Sequence, residues 1–219
     1  MVGTISFLAA FCMFRFTHQH DLSSDTFWHR KFGPVAGAFA IFVLEVVQIV
    51  IISAAIIIPI RYFLIQPFYV KGASMEPNFY DHEYLIIDEL SYRMRDPMRG
   101  EIVVFRYPRD PSQFFIKRVV ALPGETVEVS GGQVVIYNDE YPNGKALDEE
   151  VYLDDELTQG KKKLTLGDEE YFVLGDNRDE SLDSRSFGPV MRSEMIGRVW
   201  VRGLPLSRIG TFEIPEYNF

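Results

Sequence analysis

Ile49-Val-Ile-Ile-Ser-Ala-Ala-Ile-Ile-Ile-Pro-Ile60 closes an apolar stretch that begins at Ala36 and is broken only by Glu45, Gln48 and Ser53. As a helix rising 1.5 Å per residue, its roughly 25 residues extend about 37 Å, enough to cross a hydrocarbon core about 30 Å thick with some tilt. No strand is this long, and β-branched residues are tolerated in membrane helices, so the stretch is read as one transmembrane helix over residues 33–61. Glu45 and Gln48 lie three apart and share a face. A carboxylate at mid-span is costly, so the helix is expected to place Glu45 near the head groups of the leaflet entered first, with Pro59 and Arg61 marking the exit.

Outward from this helix the pattern changes. Before it, residues 1–16 are apolar but give only about a dozen uninterrupted residues ahead of Arg15, below the ~20 that span a bilayer. No positive region precedes them, so they do not read as a cleaved signal peptide. An interfacial segment is favoured over a partial span. Residues 17–31 are polar and carry His18, His20 and His29; a solvated loop is favoured over a metal site, since no further ligand cluster supports one. Arg15, Arg30 and Lys31 precede the span and Arg61 and Lys71 follow it, which leans towards the N-terminus inside and residues 62–219 outside. Residues 1–32 are thus expected to be cytoplasmic or interfacial.

After the helix, short β-type runs alternate with turn signals. Glu83-Tyr-Leu-Ile-Ile-Asp88, Glu101-Ile-Val-Val-Phe-Arg-Tyr107, residues 115–122, 125–129, 171–174 and 198–201 predict strands. Gly131-Gly132 predicts a tight hairpin and Tyr141-Pro-Asn-Gly144 a turn. The acidic residues 148–156 and the basic Lys161-Lys-Lys163 are expected to be solvated loop faces. No helical period of useful length recurs after residue 65. The expectation is a mainly β, antiparallel folded-sheet or barrel-like domain of about 150 residues, anchored by one helix.

Bulk properties exclude several classes. Across 219 residues the net charge is −9 and 47% are apolar, which supports a packed core and argues against a nucleic-acid partner, since phosphate contacts need a basic face. The single cysteine, Cys12, excludes an intramolecular disulfide and any site needing two cysteine ligands. Gly-x-Ser-x-Gly and His-Glu-x-x-His are absent, and no serine is followed three positions later by lysine. His82 is the only histidine after the helix and has no obvious orienting acid, so a serine–histidine triad is poorly supported.

A lysine can replace histidine as base when burial pulls its pKa, ordinarily about 10.4, towards neutrality. Lys117 is a candidate: on an alternating strand it shares a face with Phe115 and Val119 while Arg118 points to the other. Taken alone, the residues leave open an edge lysine extending past apolar neighbours into solvent.

Three segments resolve that choice by likeness. Gly72-Ala-Ser-Met-Glu-Pro77, Lys117-Arg-Val-Val-Ala-Leu-Pro-Gly124 and Gly175-Asp-Asn-Arg-Asp-Glu-Ser-Leu-Asp-Ser-Arg185 closely resemble, in order and in spacing after a membrane helix, the three signature boxes of bacterial type I signal peptidases. Gly100-Glu-Ile-Val-Val-Phe resembles the intervening strand and Arg208-Ile-Gly210 the C-terminal tail, so the likeness covers residues 45–210. The resemblance implies Ser74 as nucleophile and Lys117 as general base. It implies that Ser181 hydrogen-bonds and orients the lysine, that Asp183 and Arg185 form a supporting ion pair, and that Gly175, Asp176 and Asn177 shape a turn. Met75 and Pro77 are expected to fix the loop. Gly72 stands where some members place an oxyanion-binding serine, which leaves backbone N–H groups, that of Ser74 included, to do this work. Glu125 replaces a frequent Asp and is expected to be neutral.

The same likeness implies a substrate and a place. The substrate is a secreted preprotein whose signal ends in small residues, with Val70 and Ile116 lining the pocket that accepts them. No metal or other cofactor is implied. The partners are signal-peptide-bearing preproteins and the lipid bilayer, the chain is expected to be a monomer, and it is expected in the cell membrane as a single-pass protein with its catalytic domain extracytoplasmic. Two alternatives are a self-cleaving repressor-type serine–lysine protease, which would be soluble and carry a DNA-binding domain, and a non-catalytic tethered binding domain, which would not need to keep both Ser74 and Lys117.

Overall fold

The computed structural model describes residues 33–63, 65–153, 157–212, 214, 215 and 217. The expected interfacial segment over residues 1–16 and the loop with His18 and His20 lie outside them. The chain divides into two units, Met1–Pro59 and Ile60–Phe219.

The first unit is carried by a helix, α1 (Pro34–Phe63). Over its 24 residues Val35–Ile58 the mean hydropathy is 2.8, and none of the most apolar stretch is buried within the protein. Phe39, Ile49 and Ile57 are each at least 60% exposed. A helix apolar on every side and uncovered by protein has the surface that a bilayer, not water, would solvate. Glu45 is exposed on it.

The second unit is antiparallel throughout. A large sheet takes β1 (Ile65–Tyr69), β2 (Tyr84–Asp88), β3 (Ile102–Tyr107), β4 (Asp110–Ala121), β9 (Glu170–Leu174), β10 (Val190–Met191), β11 (Met195–Leu204) and β12 (Gly210–Thr211). Its order is β1-β2-β11-β3-β4-β9-β10, with β12 on β11. A small sheet, ordered β7-β6-β5-β8, holds β5 (Thr126–Ser130), β6 (Gln133–Tyr137), β7 (Lys145–Ala146) and β8 (Lys162–Thr165). Two single-turn helices, α2 (Ser91–Met94) and α3 (Ser184–Phe187), complete the elements used below.

Alternation explains why the two sheets meet. Val127 and Val129 of β5 and Val134 and Ile136 of β6 bury one face of the small sheet against Val120, Phe172 and Leu174 of the large one. The Gly131-Gly132 hairpin forms as expected, with both glycines at positive φ (61° and 84°), the backbone a two-residue turn of this hand requires. Gly144 N–H closes its turn on the Tyr141 carbonyl at 3.0 Å.

Two loop expectations need correction. Lys162 and Lys163 lie on a strand, β8, paired with β5. Their alternation turns Lys162 inward, where its ammonium donates to the Ser184 and Arg185 carbonyls, while Lys163 faces out towards Glu128. Residues 148–153 are not a merely solvated face: Tyr152 and Leu153 are buried, and Glu149 receives the buried Arg178. Strand β4 begins at Asp110, five residues before the expected start, because its polar first residues still pair with β3. Strand β1 is not legible as a strand in the sequence, since its ladder lies with β2, about twenty residues on.

Phe172 is fully buried at the junction of the sheets. Phe172→Ala is expected to lower stability by about 3–5 kcal/mol, read as a shift of the urea midpoint with the m-value unchanged.

Candidate active site

Ser74 lies in the loop between β1 and β2. The loop is closed at its base by Val70 N–H to the Glu83 carbonyl (2.9 Å) and His82 N–H to the Val70 carbonyl (3.1 Å). Met75 and Phe79, fully buried and joined by a backbone bond from Phe79 N–H to the Met75 carbonyl, pin the loop to the core beneath β2 and β3. Gly72 adopts φ 89°, open to glycine without strain, and its N–H donates to Asp81 Oδ1 at 3.0 Å. That N–H is therefore committed to the loop's own structure.

Lys117 comes from β4. From Ile102 to Arg106, β3 pairs with this strand on one side; on the other, β9 joins only from Arg118 onward. At Lys117 the free side of β4 therefore admits the Ser74 loop. Lys117 Nζ lies 2.6 Å from Ser74 Oγ and 2.8 Å from the Ile116 carbonyl. Only 3% of the residue is exposed. Burial lowers its pKa from 10.5 to about 8, against the opposing fields of Asp183 and Asp176. The residue left open between core and edge on sequence is thus a core residue.

The loop after β9 supplies the third wall. Arg185 grips Asp183 through two bonds, Nε to Oδ1 at 2.9 Å and Nη2 to Oδ2 at 2.8 Å, in line with the resemblance. Asp183 also accepts from the Gly175 N–H and caps α3. Asn177 N–H donates to the Ser74 carbonyl at 3.2 Å. Asp176 does more than shape a turn: it is fully buried and takes Arg118 through two bonds, at 2.8 and 2.7 Å. Sequence reasoning misses this pair because an alternating strand sends Arg118 away from Lys117, and nothing local announces that the other face is buried as well.

Ser181 departs from expectation. Its hydroxyl is buried without a hydrogen-bond partner, so the implied bond to Lys117 is not formed in this structure. His82 is highly exposed, does not line the cleft, and its Nδ1 pairs with Asp81 at 2.8 Å, an orienting acid that the sequence alone does not single out. Glu125 accepts from Arg99 and from the Leu122 N–H, a structural part in the small-sheet junction.

Ser74 and Lys117 open into a cleft of about 640 Å³, walled by Val70, Ile116, Phe68 and Leu182 among others. Its walls are largely apolar, and Ser74 and Lys117 sit where β1 and the first half of β4 leave ladder positions unfilled. Chemically, a hydroxyl in contact with a buried amine of lowered pKa can be deprotonated near neutrality and attack a carbonyl.

Lys117→Met should abolish catalysis yet stabilise the fold at pH 7 by about 1–3 kcal/mol, because a buried amine held below its ordinary pKa opposes folding. The unfolded chain binds more protons than the folded one between about 8 and 10.5, so wild-type stability should rise with pH across that window, and the variant should lose the rise; denaturant titrations at a series of pH values read both. A Cβ on Gly175 would lie 2.1 Å from Ser181 Oγ and 2.4 Å from the Ser74 carbonyl. Gly175→Ala should therefore displace the Ser74 loop and cost activity about 100-fold or more, measured as kcat.

Comparison with known proteins gives the chain a family. The family described as signal peptidase, peptidase S26, matches residues 43–203. A probable signal peptidase I-2 of Synechocystis sp. is 40% identical over 173 residues, covering 76% of each chain. A signal peptidase I of Leptolyngbya laminosa is 36% identical, covering 78% of this chain and 85% of its own. The crystal structure of a signal peptidase I from Enterococcus faecalis V583 is 33% identical, with a TM-score of 0.39, over 48% of this chain and 97% of that one. Since the family match spans residues 43–203, nearly three quarters of the chain, the chain belongs to the signal peptidases of the peptidase S26 family.

Proposed function

We propose that residues 62–219 form the catalytic domain of a membrane-tethered serine endopeptidase that removes signal peptides from secreted preproteins after small residues. The observation that carries this reading is the 2.6 Å approach of Lys117 Nζ to Ser74 Oγ at a largely apolar cleft, with the amine itself buried. The signal peptidase I relatives support the reaction and its substrate class.

Neutral Lys117 takes the Ser74 proton as Oγ bonds to the scissile carbonyl carbon. The tetrahedral oxyanion is met by backbone donors, among which the Ser74 N–H is assigned; the Gly72 N–H is already given to Asp81. Collapse expels the amine of the mature protein, which leaves with the proton that Lys117 received. Lys117 then deprotonates a water, which attacks the acyl-serine ester, frees the signal peptide's carboxylate and restores Ser74. A serine–lysine pair supplies nucleophile and base by itself. Val70, buried, and Ile116, half-buried, are assigned to the pocket for the small side chains, where their branched methyls limit volume. Asp183 with Arg185, and Asp176 with Asn177, hold the loop that walls the site; Ser181 is assigned to the lysine's surroundings without a bond in this state.

For location, the reading is a single-pass protein of the cell membrane held by α1, with the catalytic domain extracytoplasmic and acting as a monomer. The charge asymmetry around the helix and the length and hydropathy of α1 support the anchor and its direction.

The test is cleavage of a preprotein with an Ala-x-Ala signal by the full chain in mild detergent, located by mass spectrometry. One cut after the last alanine is expected, with Ser74→Ala and Lys117→Ala each reducing the rate by at least about 10⁴-fold. Because the base must be neutral, kcat/KM should rise with pH through about 8. Cleavage that survives Lys117→Ala at neutral pH would overturn the base assignment.

A further inference from the structure

Ser74 is on a loop and Lys117 on a strand, 43 residues apart, so their contact depends on what ties the loop to its surroundings beyond the packing of Met75 and Phe79. We propose that Asn78 is the positioning residue that keys the Ser74 loop to the strand of Lys117, by bridging the loop to the buried Arg118–Asp176 pair. This inference rests on the serine–lysine reading of the site and adds a residue to it.

The geometry is specific. Asn78 Nδ2 donates to Asp176 Oδ2 at 2.9 Å and to the Tyr152 carbonyl at 2.9 Å. Asp176 Oδ2 is the same oxygen that receives Arg118 Nη2, and Arg118 adjoins Lys117 on β4. Arg118 is further fixed by a bond from Nη1 to the Gly100 carbonyl and by the ring of Tyr152, 4.0 Å from its guanidinium carbon. The main chain of Asn78 is held too, its carbonyl accepting Arg202 Nη1 at 2.8 Å. Arg202 in turn is paired to buried Glu83, which also receives Arg208. Four residues upstream, the Ser74 carbonyl takes the Asn177 N–H. Two bridges therefore join the loop to Asp176-Asn177, one on each flank of Met75-Glu-Pro77. A side chain must present two donors at this point, since both of its acceptors, Asp176 and the Tyr152 carbonyl, carry only lone pairs. Asparagine does so and its isostere aspartate does not.

The bridge reaches the chemistry in a second way. Asp176 is one of two carboxylates whose field favours the charged lysine, the other being Asp183; Arg118 and Arg185 hold them from the opposite sides. The Asn78 amide takes up part of the Asp176 charge. Without it, Lys117 would hold its proton to higher pH.

The test uses the full chain in detergent with Asn78→Ala and Asn78→Asp. Each is expected to lower kcat about 10- to 100-fold with KM within about twofold, and to move the acid limb of the kcat/KM profile upward by a few tenths of a pH unit. Asn78→Asp should be the more impaired, because its carboxylate faces Asp176. Unchanged kcat and pH profile in a folded variant overturn the proposal, as does a loss confined to thermal stability. If Asn78→Ala does not fold, the volume-conserving Asn78→Asp carries the test, and failure of both to fold assigns Asn78 to stability alone and overturns it as well. An inactive wild type would instead count against the proposed function, so the two failures are told apart by the same assay.

Discussion

A primary amine that is almost wholly buried is held by desolvation well below its ordinary pKa, and most of the second unit can be understood from that constraint. Water would return Lys117 to its ordinary pKa; the cleft around it is walled by Val70, Ile116, Phe68 and Leu182, and its amine donates to Ser74 Oγ and the Ile116 carbonyl beside the Phe115 ring. Two carboxylates nonetheless stand close enough to be felt. Burial outweighs them because each has an arginine of its own: Arg118 on Asp176 and Arg185 on Asp183. A buried ion pair is weak as a source of stability. Here its effect is to turn part of the carboxylate's field onto a guanidinium, so that burial prevails at the amine.

The architecture is set by the need to hold those pairs. Strand β4 is the common member: β3 covers one side along its length, while its other side is divided between the Ser74 loop and β9. The small sheet contributes no group to the cleft. It packs Val127, Val129, Val134 and Ile136 behind β4 and β9, at the level of Val120 and Phe172, and so resists any shift of the strand that carries Lys117. The loop beyond β7 then returns Glu149 to Arg178, in the segment between Asn177 and Ser181, which ties the small sheet to the wall of the site.

Much is legible in the chain because its physical cause is local. The long apolar helix stems from the length of one apolar run, the hairpin from Gly131-Gly132 and most strands from alternation, while the pairing of Asp183 with Arg185 is implied only by likeness to a family. Ser74 and Lys117 are legible by likeness to a family, whereas on its own residues Lys117 stays ambiguous between core and edge. Composition is a poor guide where it is charged: Lys162 and Lys163 make a strand and Glu149 a buried partner, because a lysine stem or a paired carboxylate satisfies burial that its charge alone would forbid.

By itself, then, the sequence determined the membrane-spanning length of α1 and the antiparallel β character of residues 62–219, and by likeness to a family it singled out the boxes of Ser74 and Lys117. Tertiary structure decided how those boxes act. Burial of both faces of β4 lowers the pKa of Lys117 and forces Arg118 onto Asp176; Asn78 joins a loop to a pair formed by residues 58 apart; and Ser181 is enclosed without the bond expected of it. The reason is the range of the interactions. A helix or a hairpin is set by neighbours in the chain, whereas desolvation and ion pairing depend on what the fold brings within a few ångströms, and a one-dimensional pattern does not carry that distance.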